Sequence, residues 1–589
     1  MNSKIRTCQN CKQQFTVEPE DFQFYERVKV PPPTFCPDCR LQRRMTFRNE
    51  RSLYKRTCDL CKKSFVSMYS PDPPQLASGE AGKPFTVYCK ECWYSDNWDP
   101  LAYGQDYDWN KSFFEQFQEL MRKVPRIGIM HIHTNINADY ANYIADNKNV
   151  YLSHSVIFSE NVYHSRNIDK SKDIFDCFYV KDSERCYEDV DCSRIYRSKY
   201  LVRSRDCLDS AFLFDCVNCQ SCFMSSNLRN KQFVFRNEQL TKEQYAEAMA
   251  RMNMGSHAAR ERYREEFQCV MRGALHKFGN LMKITACIGN NIENSKNVRD
   301  SFDLYDGENL RFCMRNIKSK DSYDVAYAAS TELVYEAISA GFGNTRTSFV
   351  MQCDANERSA YCEWCQSSTD LFGCTGLRKR QYCILNKQYS QSEYEKVKAK
   401  IIEQMNNNPY KNKEGKVYRY GEFFPAEISP FAYNETMALE LFPLGKEDAL
   451  AAGYSWHDPE PYPHTPTLKA ENLPDDIKDV DDSIRKEIIG CPNCGRAYRI
   501  MPAEFDFLKR EGIALPRKCV ECRHKDRFAL RNPLKLWHRQ CMCDYKVWKN
   551  SAKHTHHPEG RCPNEFETSY APDRPEIVYC ESCYQSEVA

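Results

Sequence analysis

The chain has 589 residues, of which 41% are hydrophobic, and a formal net charge of +2. This length predicts roughly four domains, and the near-neutral charge means that any nucleic-acid contact must come from local basic patches. The sequence contains no run of about 18 apolar residues and no basic-then-apolar N-terminus, so we expect neither a membrane span nor a secretory signal. The 32 cysteines therefore favour metal ligands in a reducing cytoplasm over disulfides.

Paired cysteines begin the chain. Each pair offers two thiolates to one ion, and two pairs complete the tetrahedral all-cysteine shell that zinc prefers in structural sites. The pairs predict one zinc site in module 1 (residues 1–57) and one in module 2 (residues 58–100). The predicted ligands are Cys8, Cys11, Cys36 and Cys39 in module 1 and Cys58, Cys61, Cys89 and Cys92 in module 2.

The far end of the chain repeats this pattern in register. The interval from Cys8 to Cys36 equals the interval from Cys491 to Cys519. The copy predicts a third site in module 3 (residues 488–540), with the ligands Cys491, Cys494, Cys519 and Cys522. In module 4 (residues 541–589), Cys580 and Cys583 supply half of a fourth site. We expect Cys541 and Cys562 to complete it, with Cys543, His554 and His557 as alternative ligands, which gives about four zinc ions.

Each module predicts a cysteine knuckle, a short hairpin and a helix that starts at the second cysteine pair. A thiolate at a helix start is stabilised by the positive end of the helix dipole. The pattern resembles the treble-clef "probable zinc ribbon" proteins of candidate-phylum bacteria. The resemblance implies a treble-clef fold and a zinc ion, and it implies no activity.

Arginines follow the second cysteine pair of each copy at helical spacing, which predicts a basic stripe. They are Arg40, Arg44, Arg48 and Arg56 in the N-terminal copy and Arg523, Arg527, Arg531 and Arg539 in the C-terminal copy. One interpretation is a surface that contacts the phosphates of RNA, DNA or a ribonucleoprotein. The other is that the guanidinium groups neutralise the zinc–thiolate centres.

Between the modules, Phe113, Phe117 and Leu120 predict an amphipathic helix within a helical connector (residues 101–146). A 12-residue pattern then places Val150, Val162 and Ile174 at one position, and a three-residue deletion resets the frame before Ile195. Such a period predicts a β-solenoid with two 12-residue units per coil. The predicted segments are β-solenoid 1 with a capping helix (147–255), a helical connector (256–288), β-solenoid 2 with a capping helix (289–405), and a Pro/aromatic packing segment and acidic linker (406–487).

One cysteine run inside the first solenoid is similar in spacing to an iron–sulfur motif. Cys216, Cys219 and Cys222 lie three residues apart, but Ser226 occupies the fourth ferredoxin-like position. Other turns carry Cys or Ser at the same repeat positions. We therefore expect stacked, buried thiols.

The predicted fold class is multidomain and mainly β, with treble-clef zinc modules at both termini flanking two β-solenoid segments with capping helices. We expect a non-enzymatic zinc-binding scaffold or adaptor that contacts nucleic acid or a ribonucleoprotein through its basic helices. The alternative is a protein–protein interaction scaffold with purely structural zinc. A third hypothesis is an enzyme with its site on a solenoid flank, where acidic residues are frequent: Asp176, Asp182, Asp189 and Asp191. The composition favours solvated turn positions for these four residues.

Overall fold

The computed structural model describes residues 2–72, 84–458, 464–547, 550–557 and 559–588. Residues 73–83 of module 2, 459–463 of the predicted acidic linker, and 548–549 and 558 of module 4 lie outside the described residues. The described part is mostly β-structure. Its twelve α-helices are Pro19–Arg27, Pro37–Met45, Lys90–Tyr94, Phe113–Lys123, Lys242–Ala250, His257–Gly273, Gln391–Asn407, Met437–Leu441, Lys446–Ala451, Pro502–Glu511, Val520–Phe528 and Glu581–Val588.

The chain divides into two compact units, each built from two distant stretches of sequence. The first unit contains Met1–Ile129 and Gly279–Asp458, and the second contains Met130–Phe278 and Pro459–Ala589. Modules 1 and 2 therefore share a unit with the second repeat segment. Modules 3 and 4 share a unit with the first.

A long, mainly parallel sheet forms the repeat segment of the second unit. Its strands are His131–Ile136, Ile144–Tyr151, His154–Ile157, Glu160–Tyr163, Arg166–Asp169, Lys172–Phe175, Phe178–Lys181, Glu184–Tyr187, Val190–Ser193, Tyr196–Lys199, Ala211–Phe214, Phe223–Ser226, Val234–Phe235 and Glu238–Gln239. Val162 pairs with Val150 on one side and with Ile174 on the other. Each turn of the repeat is therefore one 12-residue unit, and the prediction of two units per turn is wrong.

Within a turn, every third residue points into the core. Val150, Ser153, Val156 and Ser159 are all buried, so apolar and small polar residues alternate along the interior. The chain bends between them, because every third residue has a positive φ, for example 55° at Asn149. Asn and Asp tolerate this left-handed conformation better than most side chains. Each turn thus has four short sides of three residues.

This geometry also explains why the predicted frame was wrong. Cys186 pairs with Ile174 before it and Ser198 after it, so the 12-residue pairing continues across the supposed deletion. Because inward positions recur every three residues, a three-residue shift places one inward row onto the next. The row of Ser171 and Ser183 continues with Ile195, so the residue types alone favour the shifted frame.

Hydroxyl and thiol groups at inward positions bind the backbone at the bends. The Ser153 hydroxyl donates to the Tyr151 carbonyl at 3.0 Å and accepts from the Ser165 amide at 3.0 Å. Cysteines make the donor contact in the same way, as in Cys177 Sγ to the Phe175 carbonyl at 3.3 Å. These bonds satisfy polar backbone groups that the interior would otherwise leave unpaired.

The first unit contains a second sheet of the same type. Its strands are Leu281–Met282, Thr285–Glu293, Lys296–Tyr305, Glu308–Arg311, Met314–Ile317, Lys320–Ala329, Tyr335–Ile338, Ser348–Met351, Ala360–Glu363, Thr369–Phe372, Gln381–Ile384 and Lys387–Gln388. Val298 pairs with Leu310 at the same 12-residue interval. The turn from Tyr335 to Ser348 is one residue longer.

A capped helix follows the last strands of each sheet. The Thr241 hydroxyl caps Lys242–Ala250 by accepting from the Gln244 amide at 3.2 Å, and Ser390 caps Gln391–Asn407 in the same way. The amphipathic helix before the first repeat covers only Phe113–Lys123. Part of the predicted helical connector instead forms the strand His131–Ile136, which joins the parallel sheet.

Candidate metal centres and the arginine clusters

All four terminal modules place their cysteines on the same local scaffold. The first cysteine pair lies in the turn of an antiparallel hairpin in modules 1 to 3, and the third ligand immediately precedes a helix in all four. The hairpins are Lys4–Thr7 with Gln14–Val17, Tyr54–Thr57 with Ser64–Ser67, Ile489–Gly490 with Ala497–Tyr498, and Trp537–Gln540 with Glu565–Thr568. The helices are Pro37–Met45, Lys90–Tyr94, Val520–Phe528 and Glu581–Val588.

The modules bring four groups of four thiols together, each with its sulfur atoms within 4.8 Å of one another. The groups are Cys8, Cys11, Cys36 and Cys39; Cys58, Cys61, Cys89 and Cys92; Cys491, Cys494, Cys519 and Cys522; and Cys541, Cys562, Cys580 and Cys583. A tetrahedron with Zn–S bonds of about 2.3 Å has edges of about 3.8 Å. The Cys11–Cys36 and Cys491–Cys522 sulfur pairs, at 3.7 and 3.8 Å, match this spacing. These groups can hold metal ions, and their geometry is consistent with zinc.

Backbone amides favour the ionised form of the first thiol in each group, although in module 4 the neighbouring Cys580 thiol and burial still raise the pKa of Cys541. The amide at the helix start donates to the first thiol: Cys36 to Cys8 Sγ at 3.2 Å, Cys89 to Cys58 Sγ at 3.3 Å, and Cys580 to Cys541 Sγ at 3.2 Å. Burial alone would raise the pKa of Cys58, but hydrogen bonds from the amides of Cys61, Cys89 and Leu60 and from the Cys61 thiol together outweigh burial and lower it to about 7. The same opposition lowers the pKa of Cys491 to about 7. A thiolate that is stable near neutral pH is the form that binds a metal.

In module 4 the chain also gathers the three residues named as alternatives. Cys543, His554 and His557 form a separate group with Cys583, again within 4.8 Å. The Cys541, Cys562, Cys580 and Cys583 quartet is therefore complete without them. Cys583 belongs to both groups.

The arginines of the first unit face carboxylates from its repeat sheet. Arg40 and Arg44 form ion pairs with Asp324 at 2.9 and 3.0 Å. Arg43, on the same helix, pairs with Glu336 at 3.1 Å. All five side chains are at most 4% exposed.

Three further contacts extend this cluster. Arg43 also pairs with Glu422 at 3.0 Å. Arg48 pairs with Glu50 at 2.7 Å and lies 3.7 Å above the Tyr327 ring. The helix Pro37–Met45 is thus held against the sheet by its ion pairs with Asp324 and Glu336. Arg48, just after the helix, adds the cation–π contact with Tyr327 of the sheet.

The second unit repeats the arrangement with its own residues. Arg523 hydrogen-bonds to Asp176 and, at 2.9 Å, to Glu504. Arg527 donates to Asp176 at 2.7 Å, and Arg531 pairs with Asp191 at 2.9 Å. Asp176 thus takes the place that Asp324 has in the first unit, so the duplication includes this carboxylate of the repeat sheet as well as the cysteines and arginines.

Burial and the charged contacts of the second unit shift the pKa values of its buried Arg523 and His164 side chains. Burial by itself lowers the pKa of Arg523, but the Asp176 and Glu504 carboxylates outweigh burial and raise it above its ordinary value. Nearby, burial lowers the pKa of His164 to about 3, and Glu504 only partly opposes this effect. His164 is therefore neutral at physiological pH, whereas Arg523 stays charged.

This placement corrects the predicted phosphate-binding stripe. The side chains of Arg40, Arg44, Arg48, Arg523 and Arg527 are nearly fully buried. A phosphate could reach them only by displacing carboxylates that already satisfy them. Two of the carboxylates that they balance, Asp324 and Asp176, lie on the repeat sheets, which neither interpretation of the stripe anticipated.

The last arginine of each copy has a different role. Arg56 donates to the carbonyls of Ser70 and Phe85 at 2.9 and 2.5 Å. Arg539 donates to the Ala571 carbonyl at 3.1 Å. Both arginines thus tie the hairpin of a cysteine module to a later loop of that module.

The carboxylate partners were the functional residues that sequence reasoning missed. The sequence predicts solvated turn positions for Asp176 and Asp191, with an enzyme site as the alternative, but both pair with arginines. Asp189 is buried and accepts from the Leu201 amide at 2.8 Å, whereas Asp182 is exposed. The available signal was that Asp176 and Asp324 occupy corresponding positions in the two repeat segments, as the arginines do in the modules.

No protein-family model and no curated protein matches the chain. Among the described residues, the helices lack the combination of length and apolar character that crossing a membrane requires.

Proposed function

We propose that the protein is a non-catalytic scaffold in which zinc-held treble clefs brace two β-solenoids. The observation that carries this proposal is the repeated contact between each arginine-bearing helix and the sheet of its unit. The helix starts at a metal ligand, so the ion positions the arginines that hold the sheet. The resemblance to "probable zinc ribbon" proteins agrees with this proposal.

Zinc is the metal that fits the quartets best. Four thiolates form a closed tetrahedral shell that leaves no open position for a substrate or water, which is typical of structural zinc. Reduced thiols also require a reducing compartment, for which we propose the cytoplasm. Metal binding to such a module contributes on the order of 10 kcal/mol to its folding.

We propose a protein as the partner of this scaffold. An open groove runs along the sheet of the second unit, and one of its rows alternates in charge through Lys148, Glu160, Lys172 and Glu184. Glu160 already pairs with Lys148 at 3.1 Å. A nucleic-acid backbone on this row would meet carboxylates at every second turn, whereas a protein surface of mixed charge can complement it. Phe158, 54% exposed in the same groove, offers an apolar contact.

Metal analysis of the full-length chain, combined with limited proteolysis, tests the structural role of zinc. We expect at least four zinc ions per chain, and we expect a strong chelator to make the modules sensitive to protease. Cys11→Ser should remove one ion, whereas the matched control Cys383→Ser, a buried thiol of the repeat sheet, should remove none. Fewer than four ions, or protease resistance unchanged after chelation, would refute the proposal.

A binding titration tests the choice of partner. We expect single-stranded RNA and double-stranded DNA to bind the zinc-loaded chain weakly at about 50 mM salt, with little change at about 200 mM. Tight binding that falls steeply over this range would indicate phosphate contacts and support the nucleic-acid alternative.

A further inference from the structure

Module 4 contains a second candidate metal site beside its cysteine quartet. The four donor atoms of Cys543, His554, His557 and Cys583 lie within 4.8 Å of one another. All four side chains are buried, and none is more than 5% exposed. A buried set of two thiols and two imidazoles is one of the common ligand sets of structural zinc.

The distances between the donor atoms fit one tetrahedral ion. With Zn–N bonds of about 2.0 Å and Zn–S bonds of about 2.3 Å, the edges of the tetrahedron run from about 3.3 to 3.8 Å. Cys543 Sγ lies 3.5 Å from His554 Nδ1. His557 Nε2 lies 3.2 Å from His554 Nδ1 and 3.2 Å from Cys583 Sγ.

A carboxylate orients one of these imidazoles. Glu587 accepts from His554 Nε2 at 2.7 Å, so that the Nδ1 atom presents its lone pair to the site. Glu587 is itself held by the Ser551 amide at 2.7 Å and the Ser551 hydroxyl at 2.6 Å. A carboxylate that hydrogen-bonds to the outer nitrogen of a histidine is typical of metal-bound histidines.

Cys583 is the link between the two groups, since it also completes the quartet with Cys541, Cys562 and Cys580. A thiolate has enough lone pairs to bind two ions. We propose that module 4 holds two zinc ions and that the Cys583 thiolate bridges them. Cys541, Cys562 and Cys580 complete the first ion, and Cys543, His554 and His557 complete the second.

Charge favours the bridged form. A zinc ion with four thiolates carries a net charge of −2 in a buried site. Adding a second zinc ion and one further thiolate, Cys543, leaves a net charge of −1 on the whole centre. Because burying net charge is costly, the second ion stabilises the first site as well as its own.

His556 provides a matched control. Its Nε2 atom also lies 3.2 Å from Cys583 Sγ, but the side chain is exposed, unlike those of His554 and His557. It thus shares the proximity to the sulfur without the buried ligand environment.

The inference rests on the proposed zinc scaffold, so the experiment must separate the two. We expect the full-length zinc-loaded chain to hold five ions, and the variants His554→Ala and His557→Ala to hold four. His556→Ala should retain five. In the chain loaded with ¹¹³Cd, two signals should show scalar coupling through the shared sulfur, and His554→Ala should abolish that coupling.

The possible results have different consequences. Four ions in the parent chain and in all variants would overturn the second site and leave the scaffold proposal intact, whereas fewer than four would overturn the scaffold proposal too. Five ions without coupled cadmium signals would overturn the bridge. Loss of an ion in His556→Ala would overturn the ligand assignment.

Discussion

The Asp176 carboxylate offers the most direct test of the ion pairs that hold module 3 against its repeat sheet. Asp176→Asn keeps the side-chain shape and the tolerance for the positive φ of 54° at this position. It removes the charge that faces Arg523 and Arg527. Both guanidinium groups then remain buried with less compensation, although Glu504 still pairs with Arg523 at 2.9 Å.

Removing one partner of a buried ion pair costs about 3–5 kcal/mol, although replacing the whole cluster by apolar residues is often neutral. Because Glu504 remains, we expect the lower end, about 3 kcal/mol. For a unit of this size, that corresponds to a fall in Tm of about 6–12 °C.

Asp182→Asn is the matched control, because Asp182 has a positive φ of 50° on the same sheet but is exposed. It should change stability by less than about 0.5 kcal/mol. The assay is urea unfolding of the full-length chain, followed by hydrogen exchange in peptides from residues 160–200. Adding Arg527→Met to Asp176→Asn should cost less than the sum of the two single changes. Equal changes in unfolding free energy for Asp176→Asn and Asp182→Asn would refute the stabilising role of these ion pairs.

Two further predictions concern buried groups of the second unit. His164 stays neutral in the folded chain, whereas an unfolded imidazole gains a proton below its ordinary pKa of 6.5, so stability falls as the pH drops. Between pH 6.5 and 5.5, the parent chain should lose about 1 kcal/mol more than His164→Asn in urea titrations, and equal losses would contradict the burial argument. Cys219→Ser should cost less than about 1 kcal/mol and leave the zinc content unchanged, because Ser171 and Ser183 occupy the same inward row of the sheet. Loss of an ion in this variant would mean that the Cys216, Cys219 and Cys222 run binds metal.

Local chemistry accounts for what could be predicted from the sequence. Two cysteines three positions apart can share an ion whatever surrounds them, so the spacing identifies the quartets. The helices that start after Cys36 and Cys519 follow from the same local pattern. A period of 12 is likewise visible in the order of residue types, such as Val150, Val162 and Ile174.

The number of residues in one turn of the repeat, and the alignment of its inward rows, were harder to predict from the sequence. An inward position recurs every third residue, and the row that contains Ser183 continues with Ile195, so the residue types favour a frame that is shifted by three. Only the hydrogen-bonded register, in which Cys186 lies between Ile174 and Ser198, distinguishes the frames.

The sequence by itself determined the three regular cysteine quartets, because their chemistry depends on ligands that are close along the chain or repeated in register. For module 4 it left Cys543, His554 and His557 as alternatives. Tertiary structure decided what the arginines do. Arg523 meets Asp176 from 347 positions away, and no pattern within a helix can tell a solvent-exposed basic stripe from one that a distant carboxylate neutralises. The same holds for Cys583, since membership of two ligand groups is a property of distances in space.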